Sequence, residues 1–92
     1  MNAPEHSRQA VALRYAPKKD AAPKLVAKGR GYLAERILEL AQEHKIPIRR
    51  DKNLLQILSR LDLEEEIPEE VYKAVAEILA FIYRLANRQK IE

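Results

Sequence analysis

Residues 24–31 read Lys-Leu-Val-Ala-Lys-Gly-Arg-Gly, and residues 32–44 continue Tyr-Leu-Ala-Glu-Arg-Ile-Leu-Glu-Leu-Ala-Gln-Glu-His. Lys24 to Lys28 is short and apolar enough for a strand. Gly29 and Gly31, the only glycines in the chain, mark a tight strand-to-helix turn. A helix is then predicted from Tyr32 to His44. Leu33, Ile37, Leu40, Ala41 and His44 recur with a 3.6-residue period on one face, and Glu35, Arg36, Glu39 and Gln42 fill the other. Downstream, Ile46-Pro47-Ile48-Arg49 reads as a third short strand, with Pro47 arguing for its beginning or an edge position. Strand, helix and strand in this order predict a βαβ unit, a parallel pair joined by a right-handed crossover. Upstream, Ala10 to Tyr15 reads as a first strand, and Ala16 to Pro23 as a loop whose two prolines cannot donate to a ladder. The expected fold is α/β: a small central sheet of about three strands with one βαβ unit, wrapped by three or four helices.

Asp51 or Asn53 caps the second helix, with Leu54, Ile57, Leu58 and Leu61 on its buried side. The acidic run Asp62 to Glu66 ends it. Pro68 suits the first position of a third helix, and Glu69 and Glu70 suit the positive end of its dipole. Val71, Val75, Ile78, Leu79 and Ile82 form its apolar stripe, which runs to about Asn87. Arg84, Arg88 and Lys90 suit its C-terminal end. Three segments follow: an untethered stretch 1–8, one domain over 9–88, and a tail 89–92.

The chain has 92 residues, 47% hydrophobic and 34% charged, the mixture of a small globular domain. It has no cysteine, which excludes disulfides and thiolate metal sites. No apolar run is long enough to cross a bilayer, and Met1 to Ser7 has no signal-peptide pattern, so a soluble cytoplasmic protein is expected. The net charge of +3 is uneven: residues 1–31 carry seven basic side chains against two acidic ones. That bias permits a nucleic-acid-binding module as the alternative function. The basic residues lack interleaved aromatics, however, with only Tyr15 and Tyr32 nearby. The histidines (His6, His44) and serines (Ser7, Ser59) compose no nucleophile–base set, and Lys28-Gly29-Arg30-Gly31 lacks phosphate-loop spacing. Glu64, Glu65, Glu66, Glu69 and Glu70 flank a helix start, where carboxylates are expected on electrostatic grounds. No catalytic, metal or cofactor residue is therefore assigned, and no enzyme is expected.

Four stretches resemble the cytoplasmic domain of the FlhB/YscU family. They are Ala10-Val11-Ala12-Leu13-Arg14-Tyr15; Ala22-Pro23-Lys24-x-Val26-Ala27-Lys28-Gly29-x-Gly31; Ile46-Pro47-Ile48; and Ile67-Pro68-Glu69-Glu70-Val71-Tyr72-x-Ala74-Val75-Ala76-Glu77-Ile78-Leu79-Ala80. The resemblance implies a part in flagellar or related type III secretion, receiving export substrates at the export gate and switching substrate class. The partners it implies are export-gate proteins (a truncated FlhB and the FlhA cytoplasmic domain), the hook-length control protein, and rod and hook substrates. It implies a cytoplasmic location, peripheral at the inner-membrane gate, with no membrane insertion and no nucleic acid. It also implies a substrate patch on Ala22, Pro23, Ala76 and Leu79, against the alternative that these four only pack the loop on the helix.

Family members self-cleave at an Asn-Pro-Thr-His sequence before the first matched strand. Here those positions hold Glu5, His6, Ser7 and Arg8, and in a shifted register Ala3 stands for the asparagine. No self-cleavage is expected. The chain resembles the stand-alone FlhB-like proteins that lack the family's membrane portion. Without the family's upstream strand, the edge formed by Ala10, Val11, Ala12 and Leu13 is expected to pair with an FlhB remnant or a second copy, unless residues 1–8 or charged side chains cover it.

Overall fold

The structure is a computed structural model that describes residues 8–80. β1 (Gln9–Arg14) and β2 (Lys24–Arg30) form an antiparallel hairpin, with Gln9 opposite Arg30 and Arg14 opposite Lys24. The register slips between Ala12 and Leu13, which face Ala27 and Leu25, so Val26 is an extra residue bulged out of β2. In a regular strand Leu25 and Lys28, three apart, would point to opposite faces. The bulge resets the alternation. Leu25 enters the core while Lys28 on the same side donates to the carbonyls of Ser59 and Leu61.

A third stretch lies against the other edge of β2. The Leu25 N–H donates to the Glu65 carbonyl (3.0 Å), the Glu64 N–H to the Leu25 carbonyl (2.6 Å), and the Ile67 N–H to the Pro23 carbonyl (2.9 Å). A bridge between Lys24 and Glu66 completes this short antiparallel contact. Pro23, with no N–H, sits where the ladder begins.

Among the described residues three helices follow the hairpin. α1 (Tyr32–Glu43) packs on one face of the sheet. α2 (Lys52–Leu58) starts at Asp51, whose Oδ1 accepts the Leu54 N–H at 3.0 Å. A single 3₁₀ turn, Glu69–Val71, follows Pro68 and leads into α3, helical over 72–80. Leu54 and Leu58 from α2, Leu61, Ile67, and Val71 and Val75 close around Leu25, with Val11 and Leu13 packed from β1. This cluster is wholly aliphatic. Leu25 is completely buried, which alone contributes about 2 kcal/mol. Among the described residues no helix is long and apolar enough to cross a membrane.

The α/β fold is as expected, with three helices and the predicted cap at Asp51. Two expectations fail. The third strand at Ile46–Arg49 is absent, and with it the βαβ crossover: residues 46–50 belong to no strand, and the described sheet is antiparallel. The cause lies at the end of α1. The Ile46 N–H donates back to the Ala41 carbonyl (2.8 Å) and the Lys45 N–H to Gln42 (3.2 Å), with Lys45 left-handed at φ 57°. This is a Schellman-type C-cap, which engages the Ile46 N–H, and Pro47 has none to offer.

The buried stripe of α1 is also displaced. Ala34 is fully buried and Ile37, Leu38 and Ala41 are half-buried, whereas Leu33 and Leu40 stand exposed. Gly29 explains the rotation: a Cβ there would lie 2.6 Å from the Leu33 Cβ. A glycine facing the helix, with Ala34 at its most buried point, lets α1 approach the sheet more closely than a leucine seam allows. The expected continuation of the last helix to about Asn87, with Ile82 and Arg84, and the expected basic end at Arg88 and Lys90 fall outside the described residues. So do the leading residues Glu5, His6 and Ser7 and the boundary between 88 and 89.

Candidate functional site

The hairpin loop 15–23 is held by one carboxylate. Asp20 is buried, and its Oδ2 accepts the Ala16 N–H at 3.1 Å. Arg14 Nε lies 3.6 Å and Lys24 Nζ 3.8 Å from its two oxygens. Arg14 and Lys24 are cross-strand neighbours, so two like charges would otherwise face each other at the hairpin mouth. The backbone turns on the Ala16 carbonyl, which accepts from the N–H groups of Lys19 and Asp20. The composition of the loop gave no hint of this role; an acid among lysines in a loop reads as solvated.

The loop ends at Ala22 and Pro23. Ala22 is only 3% exposed, so it supports the loop from beneath and offers no surface. Pro23 is half-buried, and its carbonyl is fixed by Ile67. On α3, Ala76 is exposed, and Leu79 is half-buried against the core cluster that contains Ile67. Pro23 thus pairs with Ile67 through the backbone, and Leu79 packs on the cluster to which Ile67 belongs.

β1 is the edge strand of the described sheet. The Gly31 N–H donates to the Arg8 carbonyl, which sets the alternation: Ala10 and Ala12 turn their backbone groups toward β2, and Gln9, Val11 and Leu13 turn theirs away. Of the four edge residues expected from sequence, Val11 and Leu13 therefore carry the outward donors and acceptors.

Most cations of the basic front half are engaged within the fold. Arg14 and Lys24 meet Asp20, Arg8 lies 4.0 Å from Glu35, and Lys28 donates to carbonyls. Arg30 donates to the Gln9 side-chain oxygen in the amide orientation that satisfies both groups. Among the described residues, only Lys18 and Lys19 of these seven cations lack a hydrogen bond or ion pair. His44 is exposed at the C-cap of α1, and Glu64, Glu65, Glu66, Glu69 and Glu70 are exposed. Among the described residues no cluster suits a metal ion.

Residues 2–82 match the FlhB HrpN YscU SpaS family. The chain is 42% identical over 83 residues to YlqH, an uncharacterized protein of Bacillus subtilis, with 90% of this chain and 89% of that protein covered. It is 45% identical over 74 residues to the flagellar biosynthetic protein FlhB of Aquifex aeolicus, covering 79% of this chain but 21% of that protein. It therefore spans nearly all of YlqH and about a fifth of FlhB. Among solved structures, the cytoplasmic domain of FlhB from Shewanella putrefaciens superposes with a TM-score of 0.81 at 36% identity, covering 89% of this chain and 68% of that one. The PscU C-terminal domain gives 0.75 at 28% identity, covering 80% and 95%.

Proposed function

The chain belongs to the FlhB, HrpN, YscU and SpaS family, and from that membership we propose that it serves a flagellar type III export apparatus as a non-enzymatic binding component, equivalent to the C-terminal cytoplasmic piece of FlhB. The observation that carries this reading is the superposition on the FlhB cytoplasmic domain over 89% of the chain. In this role the protein receives rod and hook substrates, meets the gate proteins and the hook-length control protein at the cytoplasmic side of the membrane, and influences which substrate class is passed. Ala76, Leu79 and Pro23 form the contact surface, and Ala22 holds the loop in place. The chain contains no Asn-Pro dipeptide, so it does not self-cleave; an intact mass lacking an N-terminal fragment, in the absence of protease, contradicts this.

The deciding experiment is genetic. The chain is expressed with an FlhB truncated at its cleavage site, and motility is scored. Restored motility supports the role, and failure by a stably expressed chain counts against it. In vitro, a labelled hook-subunit peptide is titrated against wild type and Ala76→Asp, and equal affinity rejects the patch.

A second mode of binding rests on the outward backbone groups of Gln9, Val11 and Leu13. An added strand on that edge would come from an FlhB fragment ending at the cleavage asparagine. Slowed hydrogen exchange at Gln9 and Val11 on adding the fragment supports it, and unchanged exchange rejects it. For the nucleic-acid alternative, retention on DNA that falls steeply with salt would be required.

A further inference from the structure

Between α1 and β2 lies an open groove of about 270 Å3 that neither the patch nor the strand edge includes. Val26 and Ala27 form its floor, Leu33, Ile37 and Leu40 one wall, and Leu63 the other. Leu33 and Leu63 are each 58% exposed. The exposure of Leu63 is built in: it sits in a turn closed by the Glu65 N–H on the Asp62 carbonyl (3.1 Å) and the Asp62 N–H on Glu65 Oε1 (2.8 Å), with Glu64 left-handed at φ 69°. Lys28 and Arg36 at the rim are already committed, to the Leu61 carbonyl and to Glu39. The groove is therefore an apolar surface left open to water.

The two segments that adjoin this surface in sequence carry opposite charge. Leu63 lies within Asp62, Glu64, Glu65 and Glu66, and among the described residues only Glu64 of these four carboxylates meets a cation, Arg14 at 3.5 Å. The chain that leaves α1, residues 45–52, carries Lys45, Arg49, Arg50 and Lys52 against one acid, Asp51. Among the described residues none of those four cations is in an ion pair. The segment also holds Ile46 and Ile48 exposed, two apart and so on one side of an extended chain. An apolar centre with a basic strip on one side and an acidic strip on the other is self-complementary under a two-fold rotation: each basic strip lands on the partner's acidic strip. We infer that this face binds a second copy of the chain, the groove leucines at the axis and residues 45–52 of each copy against residues 62–66 of the other. The inference does not depend on the export role.

Sedimentation velocity on the full chain across a concentration series, at low and high salt, tests it. A dimer weakened by salt is expected. Leu63→Glu should weaken it about tenfold or more, with an unchanged circular dichroism spectrum because the side chain is exposed. Arg49→Glu with Arg50→Glu should weaken it, as should Asp62→Lys with Glu66→Lys. Mixing these two double variants should restore a dimer, because both contacts are then complementary again. A monomer at every concentration overturns the proposal. So does a dimer indifferent to Leu63→Glu, or a mixture that associates no better than its components.

Discussion

The Lys28 ammonium lies 2.7 Å from the Leu61 carbonyl oxygen and ties β2 to the chain leaving α2. Lys28 is exposed as a residue while this bond is part-buried, so the bond is only partly screened. Lys28→Met, which keeps the stem and removes the donor, should lower stability by about 1 kcal/mol. A urea midpoint that falls with an unchanged slope checks this.

Asp20 should matter more. Asp20→Asn removes the charge between Arg14 and Lys24 and should cost about 2 kcal/mol. Arg14→Gln in the same chain should recover part of that loss, because one of the two facing cations is gone. A double-mutant cycle by chemical denaturation measures the coupling.

The close approach of α1 to β2 sets a third expectation. Gly29→Ala places a methyl group on the Leu33 Cβ and should destabilise by about 1–3 kcal/mol. Leu33→Ala, at an exposed position, should change stability far less. Thermal melts of the two variants side by side separate a backbone-packing role from a side-chain one.

Lys45 occupies the left-handed position that ends α1. Lys45→Gly should therefore stabilise the chain by about 0.5–1 kcal/mol, despite the loss of a residue with better helix propensity. A lower melting temperature for this variant would contradict the C-cap geometry.

The two alanines of the patch should separate cleanly. Ala22→Asp buries a carboxylate without a partner and should cost about 3 kcal/mol or more. Ala76→Asp should leave the melt unchanged, so any loss of peptide binding by that variant reports on the surface itself.

Much of this architecture could be read from residue spacing. The strand–helix junction at Gly31, the cap at Asp51 and the buried side of α2 all follow from local rules that tertiary contacts did not override. The errors share a cause. Ile46-Pro47-Ile48 has the letters of a strand, but a strand exists only if another chain segment presents its edge. Conversely, residues 64–67 have the letters of a solvated acidic turn, yet their backbone pairs with β2, because pairing depends on N–H and C=O groups that every residue carries. Leu33 and Leu40 were misplaced because periodicity gives the apolar side of a helix but not the angle at which a glycine lets it settle. The candidate patch was legible only through resemblance. Nothing in the local pattern distinguishes exposed Ala76 from buried Ala22.

The bulge at Val26 makes β2 a stretch in which number matters more than kind. A chain with one residue more between Leu25 and Lys28, and the same single bulge, would keep its hydrophobic character and yet present the two to opposite sides, sending one of them the wrong way. Val26 itself lies on the groove floor, where other apolar side chains of similar size would serve. At Val26, then, the fold should forgive a change of letter more readily than an added residue.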